Sequence, residues 1–563
     1  MKKVIFLLLF AFSAVGVIFA VGTEGDRAGA DDAAAWARVE DAKKKGRPKT
    51  AIQELEPIIK SALRDKKYAT AVKAITMKIA LEGNVQGNQP EERITRLETV
   101  LADIPNEMKP TLEVVLAHWY WHYFQRNRWR FMQRTQMAEP AGDDITSWDL
   151  SRILAEIDVH FTAALQAEEV LQNIPVADFD SLLNKGSMPD SYRPTMYDFA
   201  AHEALRFYGA GEQAGSKAQD AFVLTADGPI FGPIDEFIAW KIDSTDTISP
   251  TLKAIRLTQK LLAFHKSDDD PSALADAELG RLAFGYNHAH GEEKNARYKA
   301  ALKRFVDTWP DWQISARALH AWANVLRSEN LLTDAYELAQ RGLKAFPDSA
   351  GGRLCFNLIQ QIEAKSIQVT TERVWNNPWP TIQVQYRNVT KVHFRAVKYD
   401  WESLLQRPNW SPGQVDRNLK AELLGKRPDR AWARDLPPTD DYLTAQQIFA
   451  VPDDLRSGFY FLIASVDRGF GELDNQVMAP FWASELALVL RSGKGNDGEG
   501  FVLNADTGEP LAGAEVRVWN RQRIGRQYKW TEGRPAKSDK NGLFHIPSSQ
   551  RQGTVVFASH RDQ

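Results

Sequence analysis

Phe501–Trp519 reads FVLNADTGEPLAGAEVRVW, and it is followed by KSDKNGLFHIP at Lys537–Pro547 and TVVFASHRDQ at Thr554–Gln563. Phe501–Leu503 is a short strand and Asp506-Thr507-Gly508-Glu509-Pro510 a turn. Ala514–Trp519 alternates as a second strand that puts Ala514, Val516 and Val518 on one face. The Asp539-Lys540-Asn541-Gly542 turn leads into a third strand, Leu543–Ile546, and Thr554–Ser559 is a fourth. Four short strands spaced by turn residues predict a small all-β sandwich. The chain stops at Gln563 directly after a strand, so it reads as the front of a longer protein.

Upstream, the segments Ile367–Trp375, Thr381–Asn388 and Lys391–Tyr399 are rich in Val, Ile, Tyr and Phe and alternate as strands do. Strands resume at Gln447–Val451, Gly458–Val466 and Phe481–Leu490. Between the two groups, Ser411–Arg434 reads as a helical or irregular insertion rich in Pro, Arg and Trp. The run Arg491–Gly498, with three glycines and mixed charge, is the loop into the last module.

Before residue 367 the period is helical. Ile52, Leu55, Ile58, Ile59 and Leu63 mark one amphipathic helix, and Ala71, Val72, Ile75 and Ile79 mark the next; together they predict a helical hairpin. A repeat follows. Trp309-Pro310-Asp311 and Phe346-Pro347-Asp348 both end helices and lie 37 residues apart, close to the ~34-residue tetratricopeptide period, in which Pro closes the second helix. Residues 275–350 therefore resemble tetratricopeptide repeats. The predicted fold is α + β and multidomain: a helical, repeat-like region at 31–366, then two tandem antiparallel β-sandwiches. These span 367–490, with the insertion at 411–434, and 491–563, the second one truncated.

Composition bounds the function. A chain of 563 residues, 44% apolar and 25% charged, is an ordinary soluble globular chain of several domains. A formal net charge of −3 gives no electrostatic reason for a nucleic-acid partner. Met1-Lys2-Lys3 is a positive start, Val4–Val21 is apolar apart from Ser13 and Gly16, and Ala20-Val21-Gly22 is a small-x-small cleavage site. This is a secretory signal peptide over 1–22 or, left uncleaved, a membrane anchor. The single cysteine, Cys355, rules out an internal disulfide and a lipid-acceptor cysteine after the signal. Export to a periplasm or cell surface is the expected location.

Each constellation of chemistry-bearing residue types has a plainer reading beside it. His118 and His122 are spaced to share a helix face, but no nearby carboxylate or cysteine completes a metal site. Arg126, Arg128 and Arg130 alternate with Trp129 and Phe131, a pattern suited to a solvated face with cation–π contacts. His202-Glu203 begins a zinc-protease HExxH, but Arg206 occupies the place of the second His. His288, His290, Glu292 and Glu293 make a polar inter-helix loop. Cys355, among Leu354, Phe356 and Leu358, reads as a buried structural thiol with no base to activate it. Asn388-Val389-Thr390 and Asn409-Trp410-Ser411 are glycosylation sequons. The expectation is a chain with no catalytic, cofactor-binding or metal-ligating residue, and no enzyme.

The order of the β segments carries a family resemblance. VQYRNVTKVHFRAVKYD, LRSGFYFLIASVD, FWASELALVLRS, GFVLNADTGEPLAGAEVRVW and SDKNGLFHIP succeed one another, and this succession resembles the N-terminal macroglobulin domains of bacterial alpha-2-macroglobulin proteins. There a Gly-x-Tyr strand, matched by Gly458-Phe459-Tyr460, precedes a strand that passes into the next domain. That domain opens with a turn like Asp506-Thr507-Gly508-Glu509-Pro510 and a strand like Gly513-Ala514-Glu515-Val516. The resemblance covers 370–563, with the helical region matching more loosely. It implies an endopeptidase inhibitor that traps its protease, in which these domains are spacers and shell. Thioester-bearing members use Cys-x-Glu-Gln, and Cys355-Phe356-Asn357-Leu358 departs from it, so neither thioester nor bait region can be assigned in this chain; they would lie beyond Gln563 or be absent. The implied partners are target proteases, engaged through regions outside the chain, and an envelope protein for the helical region; the membrane is reached only through an uncleaved N-terminus. The alternative is an exported scaffold that binds a partner between helix pairs, with the β-modules as spacers.

Overall fold

The computed structural model describes residues 24–561 except 86–89, 135–141, 143, 181–182, 184–185, 187, 214–221, 245, 247, 472–475, 493–497 and 547–552. The signal segment and most of the 491–498 loop thus lie outside the described residues. The fold is α + β, with a helical region followed by antiparallel sheets. The chain divides into two compact units, one of residues 1–318 with 348–351 and one of residues 319–347 with 352–563.

The first unit is built from helices. The expected hairpin is formed by Pro48–Arg64 and Tyr68–Val85, which bury Ala51, Leu55 and Ile58 against Ala74. Lys109–Gln133 packs on Leu150–Gln166, and Met196–Tyr208 packs on Pro250–His265. Lys294–Thr308 ends at Trp309, whose ring lies 4.5 Å from that of Phe305. Leu332–Ala345, in the second unit, ends in the same way at Phe346.

The second unit carries the sandwiches. In the first, β1 (Ser366–Thr370), β3 (Thr381–Arg387) and β6 (Ala445–Ala450) form a three-stranded sheet in the order β1-β3-β6. The facing sheet runs β2-β8-β7-β4-β5, from β2 (Val374–Trp375), β4 (Lys391–Lys398), β5 (Arg430–Asp435), β7 (Gly458–Ser465) and β8 (Gln476–Ala483). Its pairings are antiparallel except β2 with β8, a two-residue parallel contact. Fully buried Trp375 stacks on Phe481 with ring centroids 3.8 Å apart in the core, a contact worth about 1 kcal/mol beyond burial.

β7 explains the insertion. Its sequence GFYFLIAS is apolar without alternation and buried almost throughout, the mark of a strand covered on both faces. Tyr460, Leu462 and Ala464 face the sandwich core. Phe459, Phe461 and Ile463 face outward, where Leu404, Leu419 and Leu423 from the helices Trp401–Leu405 and Arg417–Gly425 cover them. The expected insertion is therefore a lid on the sheet. Its last residues are not irregular: Arg430–Asp435 is β5, paired with β4 from Lys391↔Asp435 to Ala396↔Arg430.

The second sandwich places β14 (Leu543–Ile546), β10 (Gly498–Asn504) and β9 (Leu486–Ser492) in one sheet. β12 (Gln527–Glu532), β11 (Glu515–Ile524), β13 (Ala536–Lys537) and β15 (Thr554–Ser559) form the other. Ala514, Val516 and Val518 are buried on its inner face with Val502 and Phe544, as the alternation predicts. The hairpin to β12 is additional to the four expected strands; Gly525 at φ +63° lets the two-residue turn Gly525–Arg526 close it. Asn504 shapes the Asp506–Pro510 turn by accepting the backbone N–H groups of Asp506 and Thr507 at its side-chain oxygen, each at 2.9 Å.

One expected strand is two. Phe481–Leu490 breaks at Ser484–Glu485, so that Gln476–Ala483 pairs in the first sandwich and Leu486–Ser492 in the second. The Ser484 N–H donates to the Trp375 carbonyl at 3.2 Å, and the Glu485 carbonyl accepts from the Ala505 N–H at 2.7 Å. The two linking residues, the polar pair of this run, are thus bonded to different modules, and the chain changes sheet at them.

Candidate functional site

The segment after β4 also joins the modules. Trp401 lies edge-on to Trp519 at 4.8 Å and stacks on Phe557 at 4.5 Å, and Phe557 lies 5.4 Å from Trp482. Beside this cluster, Arg517 donates from Nη1 and Nη2 to the two carboxylate oxygens of Glu402, at 2.6 and 3.2 Å. The Asn409 N–H donates to the Tyr528 carbonyl at 3.0 Å, and the Tyr528 N–H returns a bond to the Asn409 side-chain oxygen at 2.9 Å. Trp530 Nε1–H donates to the Trp410 carbonyl at 3.0 Å. The junction combines an apolar centre with a polar edge, the anatomy of a stable protein interface. The aromatic residues are visible in the sequence; that Trp401 and Trp410 serve the neighbouring module is not.

The sequon asparagines are structural. Asn388, at φ +58°, donates its amide nitrogen to the carbonyls of Ile362 and Ala364, at 2.7 and 3.2 Å. Asn409 gives its side-chain oxygen to the junction.

In the helical unit the structure brings together two motifs that stand apart in the sequence. The rings of His118 and His122 lie 4.4 Å apart, and His118 Nδ1 is 3.4 Å from Glu203 Oε2. The expectation that no carboxylate stands near the His pair is therefore corrected: Glu203, from Met196–Tyr208, is beside it. Arg206 Nη1 lies 2.9 Å from Glu203 Oε1. Burial alone would raise the Glu203 carboxyl, but the nearby His118 ring and the Arg206 charge hold it down at about 2. Burial, with His118 and Arg126 close by, lowers the His122 pKa. Arginine thus neutralises the carboxylate at the position where a second histidine would hold zinc. Among the described residues, no group of three or more His, Cys, Asp or Glu is placed to hold a metal ion.

His202 points to a different partner. Its Nε2 is 3.7 Å from Asp276 Oδ2, and Asp276 also takes Arg317 at 2.6 Å and Arg193 at 3.3 Å. Burial, reinforced by Arg193, pushes the His202 pKa down to about 4. Next to it, fully buried His265 stands between Asp198 Oδ1 at 2.5 Å and Asp268 Oδ2 at 2.6 Å. Burial would lower its pKa; the two carboxylates outweigh that and raise it. The other oxygen of Asp198 closes a capping box with Thr195 at the start of its helix. Every member of this His–Asp network has a hydrogen-bond or charge partner, and the Thr195 hydroxyl beside it serves the helix cap, so its chemistry is that of helix packing.

The remaining candidates separate. Arg128 pairs with Glu212 at 3.0 Å, Arg130 donates to the Tyr123 hydroxyl and lies over Phe131, and Trp129 is 74% exposed. His288 stacks on Phe284 at 4.3 Å, while the backbone of His290 bonds to that of Leu224 and Ala226. Cys355 is fully buried, and burial pushes its thiol up to about 11.

No protein-family profile and no curated protein matches this chain. Among solved structures, it is similar to native alpha-2-macroglobulin fragments from Escherichia coli. One spans domains NIE-MG1, with 16% identity and a TM-score of 0.26, over 35% of this chain and 97% of that one. The other spans MG0-NIE-MG1, with 15% identity and a TM-score of 0.27, and the match covers 35% of this chain and 62% of its length.

Proposed function

We propose that this chain is the N-terminal part of an exported, non-enzymatic endopeptidase inhibitor of the alpha-2-macroglobulin type. The helical region and the two sandwiches act as spacer and shell, and the target protease is engaged by regions outside the chain. The observation that carries this reading is the passage of the chain from the Gly458–Ala483 hairpin directly into the next sandwich through Ser484–Glu485. That order, with a Gly-x-Tyr strand before it and the Asp506–Pro510 turn after it, is the order the sequence resemblance implies. The aromatic junction at Trp401 supports it as well, because a shell needs modules that hold their orientation. The N-terminal segment Met1–Gly22 is the basis for export.

The test uses the full-length product of the gene. A protease incubated with it should lose activity on a large protein substrate and keep activity on a small peptide substrate. Equal activity on both substrates, with and without the protein, rejects the trapping role. That outcome, combined with capture of an envelope protein by the helical region, favours the exported scaffold.

A further inference from the structure

A cleft of about 830 Å³ opens within the second unit, between the ends of the helices Ser315–Ser328, Leu332–Ala345 and Ala350–Glu363 and the first sandwich. Its size suits a small ligand or the last few residues of a peptide. Two guanidinium groups line it from different elements: Arg327 from a helix and Arg387 from the end of β3. Both converge on Gln361. Arg327 Nη1 donates to its side-chain oxygen at 2.7 Å, and Arg387 Nη2 donates to its backbone carbonyl at 3.1 Å.

The electrostatics of the cleft are incomplete without an anion. Among the described residues neither Arg327 nor Arg387 has a carboxylate within ion-pair distance, and Arg387 Nε is buried with no hydrogen-bond partner. Of the acids close by in sequence, Glu363 accepts the Tyr336 hydroxyl at 2.7 Å and Asp441 accepts the Leu443 N–H at 3.0 Å. The two cations bond different groups of one residue, and the unmade bond at the buried Arg387 Nε–H is unfavourable. A folded chain keeps such an arrangement where a ligand supplies the missing charge.

The rest of the lining selects among anions. Leu332, Ile362 and Leu443 make an apolar wall beside the guanidiniums. Tyr442 joins them in the left-handed region at φ +60°, a conformation unfavourable for a bulky residue and concentrated in proteins at binding sites. Phosphate would use the guanidiniums and leave the apolar wall wet. A carboxylate that carries an apolar side chain uses both.

We propose that this cleft binds the C-terminal carboxylate of a peptide whose last residue is apolar, with Arg327 and Arg387 on the carboxylate and Leu332, Ile362 and Leu443 around the side chain. The site is independent of the inhibitor reading, since it would serve a scaffold equally.

The probe is an N-acetylated tetrapeptide, Ala-Ala-Ala-Leu with a free carboxylate, titrated calorimetrically into the full chain beside its C-terminal amide and inorganic phosphate. The acid should bind at least tenfold more tightly than the amide or phosphate. Arg327→Gln should weaken it at least tenfold; this side chain is exposed, so the variant folds. Arg387→Lys, which keeps the charge and loses the fork, should also weaken it. Equal binding of acid and amide overturns the proposal, as do absence of acid binding, tighter binding of phosphate, or an unchanged affinity in folded Arg327→Gln.

Discussion

Glu402 in the first sandwich holds Arg517 in the second through both of its carboxylate oxygens, at 2.6 and 3.2 Å, and Arg517 turns its Nε to Glu532 at 2.8 Å. The pair borders the Trp401 cluster, and its side chains remain 42% and 27% exposed. Water screens it, so Arg517→Ala should cost no more than about 1 kcal/mol. Trp401→Ala removes the ring between Trp519 and Phe557 and should cost about 2–4 kcal/mol. Urea midpoints of the two variants, with amide exchange read at Gln527–Glu532, give the ranking. A larger loss from Arg517→Ala would mean that the polar edge, and not the aromatic centre, holds the modules.

Asp198 serves two partners at once: it caps its own helix at Thr195 and holds His265. Asp198→Asn leaves a buried histidine whose pKa depends on that carboxylate without one of its two charges. The loss should be about 3–5 kcal/mol, read as a lowered urea midpoint for the helical unit.

Acid should weaken the helical unit through His202. Its folded pKa, about 4, lies below the ordinary 6.5 because burial disfavours the charged form. The sign follows from linkage: the unfolded chain binds this proton first, so the contribution is intact above about 6.5 and is lost as pH falls toward about 4. His265, with a raised pKa, has the opposite sign: its contribution is present below the ordinary value and is lost as pH rises through the folded one. Stability measured in urea from pH 7 to pH 4 should therefore fall less steeply in His202→Gln than in the parent chain. Identical slopes would assign the acid sensitivity to other groups.

Cys355 should resist thiol reagents in the native protein, because it is fully buried and its thiol is pushed up to about 11. Labelling by an aromatic disulfide reagent should be complete in guanidinium and negligible without it. Fast native labelling at pH 8 would show that the Ala350–Glu363 helix opens.

Much of the architecture is written in local pattern. Ala514, Val516 and Val518 show their inward face by alternation, and Trp309 and Phe346 mark helix ends by the proline that follows each. What escapes local reading is pairing over distance. In Phe481–Leu490 the polar pair Ser484-Glu485 marks the place of the division, but the change of sheet is made by the partners of these two residues. The unbroken GFYFLIAS run signals a strand covered on both sides, yet does not say that Leu404, Leu419 and Leu423 supply the cover. His118 and Glu203 meet only because two helices pack, and Arg327 and Arg387 only because both reach Gln361. In each case the sequence shows the residue type and the fold chooses the neighbour.

The Ser484–Glu485 link has one more consequence. From Ala483 to Leu486 the chain can reach at most about 11 Å, so breaking the aromatic junction does not let the two sandwiches diffuse apart. Short tethers of this kind impose millimolar effective concentrations. Re-docking of Trp401 on Phe557 is then a unimolecular event, and even a modest contact keeps the pair closed most of the time.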